Sequence, residues 1–144
     1  MPVLIWMSLI FFLSHQDKDA SKETSEWVLA LLNVFNLDIE TLRAYNVSFF
    51  IRKAAHMTEY FVLFLLTHRL LIWHYPDRKM YGYALLFCGL YAATDEFHQS
   101  FVPGRGASII DVGIDTTGAI LALVVYLLWR KIKGNVSLHK TYNS

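Results

Sequence analysis

The 144 residues predict an all-α integral membrane protein, a bundle of four transmembrane helices with a short amphipathic interfacial helix in the first outer loop. Three observations carry this reading. Hydrophobic residues make up 55% of the chain and aromatics 15%. Asp, Glu, Lys and Arg together reach only 17%, against about 25% in an ordinary soluble domain. The apolar residues also gather into runs close to the roughly 20 residues that a helix needs to cross a bilayer. The same composition excludes other classes. A disordered chain would not carry so much apolar surface. Cys88 is the single cysteine, so no disulfide framework exists. A net charge of +1 leaves no broad basic face for nucleic acid.

The elements follow in order. Residues 2–13 are apolar throughout but span only about 20 Å as a helix. No basic segment precedes them and no small-residue cleavage site follows, so they read as a short first transmembrane helix that starts abruptly at Met1, as a slightly late start codon would leave it, and not as a cleaved signal. Residues 14–48 form a longer amphipathic connection. In it Trp27, Val28, Leu31, Leu32 and Phe35 recur at helical spacing behind the cap candidate Ser25, the pattern of an interfacial helix. Ser48 is the N-cap candidate for the second span, residues 54–75. Pro76 ends that span, and a tight polar turn through Lys79 leads to the third, residues 80–102. The last runs from 109 to 129. A membrane domain over residues 1–134 is then followed by a polar tail, 135–144.

Orientation follows from Lys and Arg placement. Arg78 and Lys79 lie in the short turn, and Arg130, Lys131, Lys133 and Lys140 follow the last span. Both termini are therefore expected in the cytoplasm, with residues 14–51 and 101–108 outside.

Charges in a hydrocarbon core are expensive, roughly 2.5–3.5 kcal/mol each on insertion scales. Here they are not scattered. Up-down topology brings His56 and Glu59, then Asp95, Glu96, His98 and Gln99, then Asp111 and Asp115, to the outer end of the bundle. Arg52, His56 and Glu59 form one helical stripe, and Asp95 shares a face with His98, Gln99 and Tyr91. Asp111 and Asp115 stack one turn apart, a repulsion that needs Arg52, Lys53, Arg105, a proton or a metal ion to relieve it. Purely structural pairs such as Arg52–Glu59 or Arg105–Asp111 are the plain alternative, with side chains snorkelling to the headgroups. The acid excess of the whole set argues for a site. Thr67, His68 and Arg69 lie at the opposite, cytoplasmic end, where they are expected to snorkel.

Three stretches in sequence are familiar as a set. They are Arg52-Lys53-x-x-His56-x-x-Glu59-Tyr60, Asp95-Glu96-x-His98-Gln99-x-Phe101-x-Pro103-Gly104-Arg105, and Asp111-x-x-x-Asp115-x-x-Gly118. Together with the Ser14-x-Gln16 step, they resemble the VanZ-like family over about residues 5–130. Ala122 stands where a second small residue, often Gly, is expected, and the first helix is short for the family. The resemblance implies a bacterial cell-membrane protein and an envelope context, since the family's namesake is associated with resistance to the glycopeptide teicoplanin. It implies no particular reaction.

Three readings of the outer cluster remain open. In the first, a membrane-embedded enzyme acts on a lipid-linked or phosphorylated envelope substrate. His56, Glu59, Asp95, Glu96 and His98 would supply acid/base groups, and Arg52, Lys53, Gln99, Arg105, Asp111 and Asp115 would hold the substrate. No Ser or Cys sits in an obvious nucleophile setting, Ser100 and Ser108 being the nearest. A divalent metal is compatible with the His and carboxylate donors but is not required, and no known metal spacing is present. In the second, the same basin binds the antibiotic or an envelope precursor without chemistry. The third is a small transporter, for which polar groups nearer the midplane would be expected. Gly82, Gly89 and Ala93 offer a close-packing face on the third span, within a chain or between chains.

Overall fold

The computed structural model describes residues 2–16, 23, 26–28, 30, 47–74 and 78–142, the last nine as backbone only. Among these residues the secondary structure is entirely helical. Four helices dominate: α1 (Pro2–Ser14), α2 (Val47–Leu71), α3 (Lys79–Gln99) and α4 (Ile109–Tyr142). Residues 26–28 and 30 are also helical, with Trp27 exposed, which agrees with part of the expected interfacial helix. The rest of that expectation, Ser25 and Leu31 to Phe35, lies outside the described residues.

The boundaries differ from the sequence reading most at the start of α2 and the end of α4. Helix α2 starts seven residues earlier than the expected span, and Ser48 lies inside its first turn. The Ser48 hydroxyl donates to Glu26 Oε1 at 3.0 Å, so it ties α2 to the preceding segment and does not cap it. Helix α4 starts at Ile109 as expected, but its backbone stays helical through residue 134 to Tyr142. Among the described residues one helix segment, Ile109–Lys133, is long and apolar enough by itself to cross a membrane. Helices α2 and α3 have the length, about 37 and 31 Å, but the charged residues in the first turns of α2 and the last turns of α3 dilute their hydropathy. Helix α1 has the hydropathy but not the length. Four independent spans are thus not a property of the separate helices.

Packing is organised around α4, which shares its longest interface with α2 and a second with α3, while α1 leans on both α2 and α3. Small residues make this possible. Ala84, Cys88 and Ala92 on α3 meet Ala119 and Ala122 on α4, with Tyr60, Leu63 and Phe64 of α2 filling the centre. At Gly118 the backbones of α2 and α4 touch, because a Cβ there would lie 2.9 Å from both the Met57 carbonyl carbon and its Cα. This is the close approach that small interfacial residues permit between helices. Gly89 faces Thr116 of α4, whereas Gly82 and Ala93 are exposed, so the glycine face of α3 is used within the chain only at Gly89. Midway along its length helix α1 is fastened by Trp6 Nε1 donating to the Glu59 carbonyl at 2.9 Å and by the Tyr91 hydroxyl donating to the Met7 carbonyl at 2.7 Å.

The surface is apolar on every helix. Leu4, Ile5 and Phe12 on α1, Phe50 and Leu70 on α2, Leu86, Leu90 and Phe97 on α3, and Val124, Val125 and Leu128 on α4 all face outward. Inside lie Ser14, Thr67, His68, Asp95, Glu96, Gln99 and Asp115. A soluble domain distributes these residue types the other way round. At the end of the bundle expected to be cytoplasmic, Thr67 and His68 are buried and do not snorkel, though Arg69 is exposed. His68 is buried, stacked on Tyr81 at 5.3 Å and against Tyr126 at 4.4 Å, and Arg130 donates to the Tyr81 hydroxyl. These rings come from α3 and α4, so nothing in the sequence of α2 announces that cage.

Candidate functional site

The loop from α3 to α4 builds the roof of the site. Helix α3 unwinds through tight turns at Ser100, Phe101 and Val102. Val102-Pro103-Gly104-Arg105 then closes a β-turn with the Arg105 N–H donating to the Val102 carbonyl at 3.1 Å. Proline at the second position and Gly104 at φ 73° at the third fit a type II turn, which needs a residue tolerant of positive φ. The turn sends Arg105 back over the bundle. Its guanidinium donates to Gln99 Oε1 at 3.0 Å and to the Ser14 carbonyl at 3.4 Å. Ser108 caps α4, its hydroxyl accepting from the Asp111 N–H at 3.3 Å, while the Ser108 N–H donates to Glu96 Oε2 at 2.9 Å. In an ordinary capping box the residue at the Asp111 position would take that second bond. Here Glu96 takes it from α3, which leaves the Asp111 carboxylate for Lys53.

Beneath the roof, polar groups from all four helices meet. Asp95 Oδ2 accepts from the Ser14 hydroxyl at 2.7 Å and from Gln99 Nε2 at 3.1 Å. His56 Nδ1 lies 3.6 Å from Glu59 Oε2 and 3.8 Å from Asp115 Oδ1, distances too long for hydrogen bonds. Asp95 is 3% exposed and Asp115 1%. Four buried atoms in this layer have no hydrogen-bond partner: His56 Nδ1, Glu59 Oε2, Asp95 Oδ1 and Asp115 Oδ2. The Tyr60 hydroxyl, also buried, is a fifth. One donor atom each of His56, Asp95 and Asp115 lies within 4.8 Å of the others, so these three residues are the ones placed to hold a metal ion.

A cleft of about 180 Å³ opens above this layer, lined by Phe49, Arg52, Lys53, His56, Gln99, Gly104, Arg105, Gly106 and Asp111. The rim is therefore basic and the floor acidic. Such a site can hold an anionic group at its mouth by bidentate bonds from Arg, with a proton donor or acceptor directly below.

Of the eleven residues singled out from the sequence, Arg52, Lys53, His56, Gln99, Arg105 and Asp111 line the cleft. Glu59, Asp95 and Asp115 lie beneath it. Two stand apart. Glu96 caps the loop at Ser108, and His98 turns toward α1, with its Nε2 3.1 Å from His15 Nδ1 and its ring 4.3 Å from Phe11. Asp111 and Asp115 do not share one environment as their spacing suggests, since Lys53 draws Asp111 to the rim. Sequence reasoning left out Ser14, His15, Tyr60 and Gly106. Ser14 was signalled by the Ser14-x-Gln16 step and Tyr60 by its place after Glu59 in the first stretch; His15 and Gly106 carried no signal of their own.

Fold and site together define a small helical bundle that is apolar outside, polar within, and open through a basic-rimmed cleft at one end. The chain belongs to the VanZ/LLP1 family, whose sequence model matches residues 1–130. No curated protein and no solved structure gives a match to the chain.

Proposed function

We propose that this chain is a multi-span protein of the bacterial cell membrane, both termini cytoplasmic, whose cleft faces outward. There it takes the anionic headgroup of a lipid-linked or phosphorylated envelope substrate and transfers a proton at it. The observation that carries this reading is the vertical order of the site, with Arg52 and Arg105 at the cleft mouth and, below with His56, the Glu59, Asp95 and Asp115 carboxyls, each with one oxygen lacking a hydrogen-bond partner. The apolar exterior of all four helices supports burial of the bundle in lipid. Helix α1 and the outer turns of α2 and α3 would enter as parts of one bundle, their polar groups shielded by one another. Family membership supports an envelope role connected with glycopeptide resistance.

A second reading, binding or shielding of the antibiotic or a precursor without chemistry, is favoured by one observation. The hydroxyls of Ser14 and Ser108 are both engaged, and Cys88 is buried in the core, so no Ser, Thr or Cys lines the cleft among the described residues. Reaction would therefore proceed through activated water. The two readings separate in teicoplanin susceptibility at matched expression. Proton transfer predicts that Glu59→Gln abolishes the phenotype while binding of dihexanoyl phosphatidic acid, a soluble phosphate monoester, persists. Binding alone predicts graded losses, largest for Arg105→Ala. Wild-type behaviour of both variants removes both readings.

A further inference from the structure

The four unpartnered atoms below the cleft come from three helices and point to a shared ligand. We infer that His56, Asp95 and Asp115, with Glu59 beside them, form a binding site for one divalent transition-metal ion, Zn²⁺ or Mn²⁺, whose open positions face the cleft. The inference rests on the reading of the cleft as an anion-headgroup site and names what would sit at its floor.

The geometry carries the argument first. Donor atoms of His56, Asp95 and Asp115 all lie within 4.8 Å of one another, so an ion between them would be at most about 2.8 Å from each. Small side-chain rotations bring that to the roughly 2.0–2.2 Å of metal–nitrogen and metal–oxygen bonds. The second argument is the unmet need. A buried polar atom without a partner is costly, and native structures rarely leave one. Here Asp95 Oδ1 and Asp115 Oδ2 are both orphaned on side chains more than nine-tenths buried, and His56 Nδ1 and Glu59 Oε2 join them in the same layer. A single cation can take one donor atom from each of His56, Asp95 and Asp115, whereas a water donates only twice. The third is the surrounding order. Ser14 and Gln99 donate to Asp95 Oδ2 and leave Oδ1 for the ion, as outer partners of metal-bound carboxylates do. One imidazole nitrogen among carboxylate oxygens suits Zn²⁺ or Mn²⁺, while Mg²⁺ and Ca²⁺ take oxygen alone. An ion here would act as a Lewis acid on an oxygen of the headgroup held by Arg52 and Arg105.

The test uses the full chain in detergent, stripped with EDTA and titrated with Zn²⁺ or Mn²⁺ alone. Bound metal is counted by elemental analysis after gel filtration, and melting is followed in parallel. The expected result is one ion per chain, an affinity lowered more than about 100-fold in Asp95→Asn and Asp115→Asn, and no change in His74→Gln, an exposed histidine far from the cleft; loss of an outer partner alone costs 10–100-fold. In EDTA, Asp115→Asn melts above the wild type because one of the crowded carboxylates is gone. With metal, the wild type gains in melting temperature and the variant does not. No saturable binding below millimolar ion, or equal binding by wild type and both Asn variants, overturns the site. Binding of dihexanoyl phosphatidic acid to the stripped protein, and its loss in Arg105→Ala, is measured separately. If that binding persists in a wild type that takes no metal, the metal site fails and the anion site stands.

Discussion

Gly118→Ala is the sharpest perturbation that the packing offers. In most helices this change helps, since Ala is favoured over Gly by up to about 1 kcal/mol. At Gly118 the new methyl would lie 2.9 Å from two backbone atoms of Met57, where ordinary contact begins at 3.4 Å. Backbone cannot rotate away as a side chain can, so α2 and α4 must part by at least half an ångström. Overpacking of this kind costs about 1–3 kcal/mol, which outweighs the propensity gain. The damage reaches the site, because Met57 follows His56 directly and Gly118 lies one turn after Asp115. Gly113→Ala is the matched control on the same helix, where a Cβ meets nothing within 4 Å. Thermal unfolding in detergent should place Gly118→Ala below wild type by the equivalent of about 1–2 kcal/mol and Gly113→Ala at or above it. If Gly118→Ala melts level with Gly113→Ala, the close approach of α2 and α4 is wrong, and with it the placement of His56 against Asp115.

Two further outcomes follow from the loop and from α1. Gly104→Ala puts a side chain at φ 73° and should cost about 1–2 kcal/mol, while Gly104→Asn, which tolerates that conformation, should recover much of it; equal melting of the two variants would contradict the turn. Ser14→Ala removes a 2.7 Å donor from the Asp95 carboxylate and should destabilise by about 1.5–3 kcal/mol, read by the same assay, with an unchanged melting temperature denying that α1 closes the site.

The sequence made some of this legible and left the rest hidden for physical reasons. Convergence of the ionisable residues at one end needed only alternating helices, so it could be read from hydropathy runs and turns. The Asp95–Gln99 bond is an i, i+4 neighbour relation, visible in any helix. Rotation of each helix about its own axis was not readable, because the apolar exterior gives α2 and α3 little amphipathic asymmetry to orient them. That is why His98 was placed with Asp95, although it faces His15 and Phe11 of α1. Glu96 and Ser108 show the same limit. Ser108 with Asp111 three residues on is a capping signature, but which carboxylate takes the second bond depends on how close α3 comes. His68 looked like an interfacial residue because its ring partners Tyr81 and Tyr126 lie on other helices.

The central claim is a cleft that opens on the outer face of a membrane bundle, and impermeant labelling tests it most directly. In a Cys88→Ala background, Gly106→Cys places a thiol at the cleft, where a Cβ meets nothing within 4 Å, and Arg78→Cys places one in the exposed turn before α3, at the opposite end. The account predicts that intact cells label Gly106→Cys with a membrane-impermeant maleimide and label Arg78→Cys only after lysis. Labelling of Arg78→Cys in intact cells while Gly106→Cys stays protected, or equal labelling of both, would contradict it.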